Sequence, residues 1–121
     1  MASIPSYLLR NLYVKGSLRN VEDGFQFSLR NNLYPATLTG LIQAEVDGEI
    51  IEADDILVGK GEEATQKASE VGHQKPLSFY VGETLVIKVL DKALEPGEHE
   101  ITLTVSVVEI GRLDIPIIAS L

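Results

Sequence analysis

The sequence predicts an all-β protein, an antiparallel two-sheet β-sandwich or jelly-roll-like fold with about eight strands and at most one short helix. Branched aliphatic residues dominate a chain that is 45% hydrophobic and has no tryptophan, and such residues fit a pleated, half-buried surface. Apolar and polar residues alternate with a period of two in several segments. Turn sequences containing glycine or proline recur at intervals of roughly 8–12 residues, as they do in sandwiches.

The predicted strands show this alternation along the chain. In FQFSLRN (residues 25–31), Phe25, Phe27 and Leu29 alternate with polar residues. In HEITLTVSVVEI (residues 99–110) the apolar positions alternate in the same way, so one face of each strand is expected to be buried. Further strands are predicted at residues 41–46, 49–53 and 84–90.

Turn sequences separate these strands. Asp47-Gly48, between two apolar runs, is a strong hairpin signal because both central residues of the turn need positive φ. The sequence from Glu95 to Glu98 fits a type II turn, in which proline presets φ at the second position and glycine takes the positive φ at the third. The polar stretch Gly59–Pro76 is the exception, and the short helix is expected at its centre, Glu62–Val71.

Length and composition bound the function. A chain of 121 residues predicts a single domain, residues 1–121, with one core. The net charge of -8 argues against nucleic acid as a partner, because phosphate binding needs a basic face. The chain has no cysteine, no signal-peptide pattern and no apolar run near the roughly 20 residues that span a bilayer. We therefore expect no membrane association and a cytoplasmic location.

The triplet Leu-Arg-Asn occurs three times, at Leu9–Asn11, Leu18–Asn20 and Leu29–Asn31. The flanking sequences differ, whereas a repeat array needs a unit of about 20 residues that recurs at a fixed period. An inward leucine, an outward arginine and an asparagine before a turn are expected at unrelated strand ends. Arg10, Arg19 and Arg30 are nevertheless candidates for a local cationic patch that binds a carboxylate or an acidic partner if they lie on neighbouring strands, and ion pairs with nearby acids are the alternative.

Sequence patterns of catalysis are scarce. The chain has two histidines, His73 in the polar stretch and His99 at a strand start. A metal site would need His99, a glutamate and the distant Asp54-Asp55 pair to converge, which the spacing does not require, so His99 is a weak metal candidate. A serine nucleophile elbow, a P-loop and a glycine-rich nucleotide fingerprint are all missing, so an independent enzyme is not expected.

The C-terminal segment RLDIPIIASL carries a surplus of apolar residues. Leu113, Ile115 and Ile117 lie on one side of the predicted strand. Pro116 cannot donate a ladder hydrogen bond, which confines the segment to an edge strand or a strand end. An apolar edge invites pairing with another chain, and packing into the domain's own core is the equal alternative.

Three segments carry a family resemblance: GSLRNVEDGFQF (residues 16–27), AEVDGEII (44–51) and LEPGEHEI (94–101). In order and spacing they are similar to the small β-subunits of C-glycoside deglycosidases. The resemblance implies a β-sandwich subunit that pairs with a larger TIM-barrel subunit of the xylose-isomerase-like type. It also implies that the partner holds a divalent metal and the catalytic groups, that the complex cleaves 3-oxo-C-glycosides by β-elimination, and that this chain itself needs no cofactor.

The favoured interpretation is therefore a non-catalytic subunit that docks on a larger sugar-active enzyme. The expected partners are this enzyme, further copies of the same chain, or both. Its candidate interface residues are Arg19, Arg30, Tyr34, Leu113, Ile115 and Ile117. One alternative is a stand-alone protein-interaction or carbohydrate-binding module, which would stack sugars on Tyr7, Tyr13, Tyr34 or Tyr80. The other is a small metal-dependent lyase or isomerase that uses His99.

Overall fold

The computed structural model describes residues 4–61 and 63–121. They form two antiparallel sheets and one short helix, which confirms the predicted fold class. In chain order the elements are α1 (Ser6–Arg10), β1 (Arg19–Val21), β2 (Gly24–Arg30), β3 (Ala36–Val46), β4 (Glu49–Glu52), β5 (Ile56–Lys60), β6 (Gln66–Lys67), β7 (Leu77–Phe79), β8 (Thr84–Leu90), β9 (Glu98–Val107) and β10 (Gly111–Ser120). The ten strands exceed the predicted number because β1, β6 and β7 are only two or three residues long.

The strands divide into two sheets of five. The first sheet has the order β1-β2-β8-β5-β6, and the second has the order β10-β9-β3-β4 with β7 beside β3. All strand pairs are antiparallel. The C-terminal strand β10 lies at the edge of the second sheet, which confirms the position that Pro116 predicts.

The core lies between the two sheets. Phe25 and Phe27 of β2 are fully buried, and their rings stack with centroids 6.5 Å apart. Ile101 and Leu103 of β9 and Ile117 of β10 are buried from the other side. Period-two alternation thus places the inner face of each sheet in one shared hydrophobic core.

The short helix is not where the sequence pattern placed it. Glu62 lies outside the described residues, and the rest of the predicted helix contains β6 and a single 3₁₀ turn, Ala68–Glu70. The pairing of β6 with β5 and the burial of Ala68 and Val71 in the core outweigh the weak helical pattern. The α-helix is α1, whose Leu9 packs into the core. Among the described residues, no helix has the length and apolar character needed to cross a membrane.

The predicted hairpin turn between β3 and β4 is present. Asp47 has φ 49° and Gly48 has φ 91°, so both central residues take the positive φ that this turn requires. Gly97 takes the predicted positive φ, 124°, and exchanges two backbone hydrogen bonds with Leu121, but Pro96 and Gly97 form a bend rather than a hydrogen-bonded type II turn. These local signals were therefore sufficient to position two of the connections.

Candidate functional site

A polar groove of about 830 Å³ lies on the outer face of the first sheet. Side chains of β2 and β8 form its floor, and these are Gln26, Ser28, Val86 and Lys88. Gly16, Ser17 and Arg19 line it on the β1 side, and Gly61 with residues 63–65 lines it on the β5–β6 side. We refer to this feature as the sheet groove.

Gly59 allows the β5–β6 connection to close over the sheet. A Cβ atom at this position would lie 2.0 Å from the backbone oxygen of Glu63, so only glycine permits the connection to approach so closely. Ala64 is consequently buried although it belongs to a connection, and Val86 is buried on the outer face of the sheet. The groove is thus bounded by close backbone packing.

The cations of the sheet groove lie in one row across the strands. Arg19 is opposite Gln26, and Gln26 is opposite Lys88. When the Gln26 amide is oriented with its oxygen toward Arg19, it accepts bonds from the guanidinium Nη2 at 3.0 Å and Nε at 3.3 Å. Lys88 forms an ion pair with Asp23 at 3.2 Å, in which the Asp23 side chain is 54% exposed. Gln26 thus orients the Arg19 side chain and Asp23 orients the Lys88 side chain, and both cations remain accessible to solvent.

The structure separates the three arginines that the sequence suggested as one patch, and Arg10 belongs to α1 rather than to a strand. Arg30 lies on the same face of β2 as Gln26 but four residues further along, about 13 Å away at the usual rise per residue. Only Arg19 lines the sheet groove. The three Leu-Arg-Asn triplets also differ in structure, because Asn11 ends α1 whereas Asn20 exchanges hydrogen bonds of 2.8 and 2.9 Å with the backbone of Leu94.

The third asparagine, Asn31, ties two loops together at one end of the sandwich. Its side-chain nitrogen donates to the backbone oxygens of Tyr34, at 3.0 Å, and Phe79, at 2.7 Å. Its side-chain oxygen accepts the backbone N–H of Leu33 at 3.0 Å. Asn31 is buried, so these bonds fix the loop after β2 against the end of β7.

Three exposed apolar residues lie on these two loops: Tyr34, which is 44% exposed, Tyr80, which is 55% exposed, and Val81, which is 54% exposed. We refer to them together as the aromatic end. Asn31 also supports the turn that carries Tyr80 and Val81, because its backbone oxygen accepts the N–H of Gly82 at 2.8 Å. The sequence contained no local signal for this arrangement, because Tyr34 and Tyr80 are far apart in the chain.

The turn that carries Tyr80 and Val81 is rigidly supported. Gly82 has φ 92°, the positive value that the third position of a type II turn requires. The Glu83 carboxylate accepts the Tyr80 N–H at 2.6 Å and lies 3.4 Å from Lys60 Nζ. The backbone hydrogen bond from Tyr80 lowers the pKa of Glu83. Lys60 also lies over the Tyr80 ring, with Nζ 5.6 Å from the ring centroid, so the two side chains form a cation–π contact.

Beside the aromatic end is a small apolar cleft of about 50 Å³. Its lining includes Leu9, Leu12, Leu33, Tyr34, Leu113 and Ile115. The structure thus places three of the candidate interface residues, Tyr34, Leu113 and Ile115, around one cleft. Ile115 and Ile117 are nevertheless buried in the domain's own core, and Leu113 is half-buried. That Leu113, Ile115 and Ile117 contribute to a subunit interface remains a prediction.

His99, the weak metal candidate, has partners at both ring nitrogens. Its Nδ1 lies 2.6 Å from Asp47 Oδ2, and its Nε2 lies 2.6 Å from the backbone oxygen of Glu95. The hydrogen bond to Asp47 raises the pKa of His99, and the same bond lowers the pKa of Asp47. Within residues 4–61 and 63–121, no three His, Cys, Asp or Glu residues form a group that could hold a metal ion.

The fold and its surfaces define a β-sandwich domain with a polar groove on one sheet and an exposed aromatic end. Residues 8–121 match the family described as hydroxymethylglutaryl-CoA reductase, N-terminal domain, and the chain belongs to this family. No curated protein matches the chain.

The family match shows that the resemblance to C-glycoside deglycosidase β-subunits is wrong. Two of the segments that suggested it, AEVDGEII and LEPGEHEI, contain the hairpin turn before β4 and the turn before β9. Such turn sequences suit antiparallel sheets in general, so they do not distinguish one sandwich family from another. The expected TIM-barrel partner and the cleavage of 3-oxo-C-glycosides are overturned with it, and neither alternative, the stand-alone binding module or the metal-dependent lyase, is better supported.

Proposed function

We propose that this chain is an assembly domain of a hydroxymethylglutaryl-CoA reductase-type enzyme, and that its aromatic end docks on the catalytic part of that enzyme. The observation that carries the proposal is the exposure of Tyr34, Tyr80 and Val81 on two loops that are fixed from beneath by Asn31. The family description supports it, because it names a domain of a larger enzyme.

The aromatic end has the properties of an interaction surface. Tyrosine is enriched among the residues that dominate binding energy at protein interfaces. Full burial of a large apolar side chain contributes roughly 1.5–3 kcal/mol, before the cost of association is subtracted. Because Asn31 and Glu83 already hold the loops in place, little further conformational entropy is lost when a partner binds.

A different chain or domain is a better partner for this end than a second copy of the same chain. Each copy carries a net charge of -8, and this charge opposes self-association. A catalytic domain with a neutral or basic docking face would not meet this repulsion. Association between copies is therefore expected only within a larger assembly, through the partner.

The test is co-expression of this chain with the catalytic chain of hydroxymethylglutaryl-CoA reductase from the same genome, followed by affinity purification and light scattering. The unmodified chain is expected to co-purify as a complex of defined molar mass. Tyr34→Ser and Tyr80→Ser are each expected to weaken the complex at least tenfold, because each removes an apolar anchor.

Ile50→Ser provides the matched control. Ile50 is 52% exposed and lies on β4, opposite Glu45 near the far end of β3 from the aromatic end. This control variant is expected to bind like the unmodified chain. The proposal fails if the unmodified chain does not bind, or if Ile50→Ser weakens the complex as much as the two tyrosine variants do.

A further inference from the structure

We propose that the sheet groove is a binding site for a small anion that carries phosphate or carboxylate groups, held by Arg19 and Lys88. The proposal does not depend on the docking role of the aromatic end. It rests on the shape of the groove, on the position of two cations in its lining, and on the donors that these cations leave free.

The size of the groove suits a small molecule. Its volume of about 830 Å³ lies within the range of roughly 300–1,000 Å³ that is usual for ligand pockets. The close packing of the β5–β6 connection at Gly59 gives it a wall of backbone. The floor belongs to β2 and β8, which pair along seven residues, so the site is built largely on regular sheet.

Two cations face this groove in a chain with far more acids than bases. The chain has 18 Asp and Glu residues and 10 Lys and Arg residues. By contrast, among the residues that the structure describes, the groove lining contains Arg19 and Lys88 and one acid, Glu63. A cationic lining in an acidic protein attracts anions to one place on the surface.

The cations retain capacity for a ligand. Gln26 accepts from Nε and Nη2 of Arg19, which leaves three of the five guanidinium N–H donors free. Exposed ion pairs such as Lys88 with Asp23 contribute little free energy, so a ligand anion can replace the aspartate. Arg19 and Lys88 lie on the two strands that flank Gln26, one on each side of it in the same row. They can therefore bind one anionic group from two directions.

The neutral residues of the groove suit an anion with further polar groups. Ser28 and Thr65 place hydroxyl groups in the lining. Ser17 is already committed, because its hydroxyl donates to the Val14 oxygen at 2.6 Å and accepts the Ser28 N–H at 3.0 Å. Glu63 opposes a second negative group on its side of the groove, so the anion is expected to bind nearest to Arg19 and Lys88.

The experiment is calorimetric titration of the full chain with pyrophosphate and, separately, with glutarate at fixed ionic strength, together with backbone amide NMR. One of the two anions is expected to bind and to shift the amide signals of Gln26, Ser28 and Ala64. The anion that binds more tightly identifies the group, phosphate or carboxylate. Arg19→Gln and Lys88→Gln are each expected to weaken binding at least tenfold while the melting temperature stays close to that of the unmodified chain.

Arg30→Gln is the matched control, since it removes the same charge from the same face of the first sheet as Arg19→Gln but lies outside the groove. Its affinity is expected to stay within twofold of the unmodified chain. If neither anion binds at millimolar concentration, the proposal is overturned. It is equally overturned if Arg30→Gln weakens binding as much as Arg19→Gln, because the effect would then be general surface charge.

Discussion

His99 and Asp47 form a 2.6 Å hydrogen bond between Nδ1 and Oδ2 that joins the start of β9 to the β3–β4 turn. The second ring nitrogen of His99 lies 2.6 Å from the Glu95 oxygen, which is also an acceptor. A neutral imidazole has only one N–H, whereas the imidazolium ion has two. The geometry therefore favours protonated His99, and the other Asp47 oxygen accepts the Glu100 N–H at 2.9 Å.

This pair predicts a pH dependence of stability. The pKa of His99 is raised above its ordinary value of 6.5, so its contribution is complete below about pH 6.5 and is lost as pH rises through the folded-state pKa. The pKa of Asp47 is lowered below 3.8, so its contribution is present above that pH and is lost as pH falls through the folded-state value. The free energy of unfolding is therefore expected to decrease above pH 6.5, when measured by urea denaturation across pH 4–9.

His99→Gln is expected to remove most of this decrease. His73→Gln is the control, because it removes an exposed histidine that is not part of the His99–Asp47 pair. A profile for His99→Gln that falls above pH 6.5 as steeply as that of the unmodified chain would refute the assignment.

Asn31→Ala is expected to destabilise the protein by about 1–3 kcal/mol, because it removes the donor from the buried bond to the Phe79 oxygen and from the part-buried bond to the Tyr34 oxygen. Chemical denaturation measures this loss. Asn32→Ala is the matched control, since Asn32 is exposed and makes one bond, to the Asn11 oxygen at 3.1 Å. Equal losses in the two variants would show that Asn31 does not hold the loops.

Ile117→Ala is expected to cost about 2–5 kcal/mol, since Ile117 is 2% exposed and its removal leaves a cavity in the core. The neighbouring Ile118 is 46% exposed, and Ile118→Ala is expected to change stability by no more than about 0.5 kcal/mol. Thermal and urea denaturation of the two variants give the comparison. A small effect of Ile117→Ala would favour an interface role for this residue over a core role.

Gly59→Ala is expected to destabilise the protein by about 1–3 kcal/mol, because the new Cβ would meet the Glu63 backbone oxygen. The backbone amide NMR signals of residues 63–65 should shift as the connection moves. Gly72→Ala is the control, since a Cβ there has no neighbour within 4 Å. If Gly59→Ala is as stable as Gly72→Ala and its spectrum is unchanged, the close approach is not a constraint.

Local sequence signals predicted the parts of the fold that depend on adjacent residues. Alternation located the strands, and Asp47-Gly48 located a hairpin whose φ values follow from its sequence. The segment 62–71 was misjudged because three apolar residues at helical spacing also suit a connection whose apolar residues pack against a sheet. In both cases the outcome depended on whether tertiary contacts agreed with the local preference.

The surfaces could be predicted only in part, because they are assembled from distant segments. Tyr34, Leu113 and Ile115 were selected from their chemistry, and they do meet at one cleft. The contacts that give these surfaces their form join residues far apart, such as Asn31 with Phe79 and Asp47 with His99, which are 48 and 52 positions apart. No local pattern encodes such pairs, so the aromatic end and the sheet groove appear only in three dimensions.

The most direct test of the docking role is hydrogen–deuterium exchange of this chain, with and without the catalytic chain of the reductase. Docking through the aromatic end predicts slower exchange at residues 33–36 and 78–83 in the complex, with exchange in β4 and at the β3–β4 turn unchanged. Protection that falls on the edge strand β10 or on the outer face of the second sheet, with none at residues 33–36 and 78–83, would contradict the proposed interface.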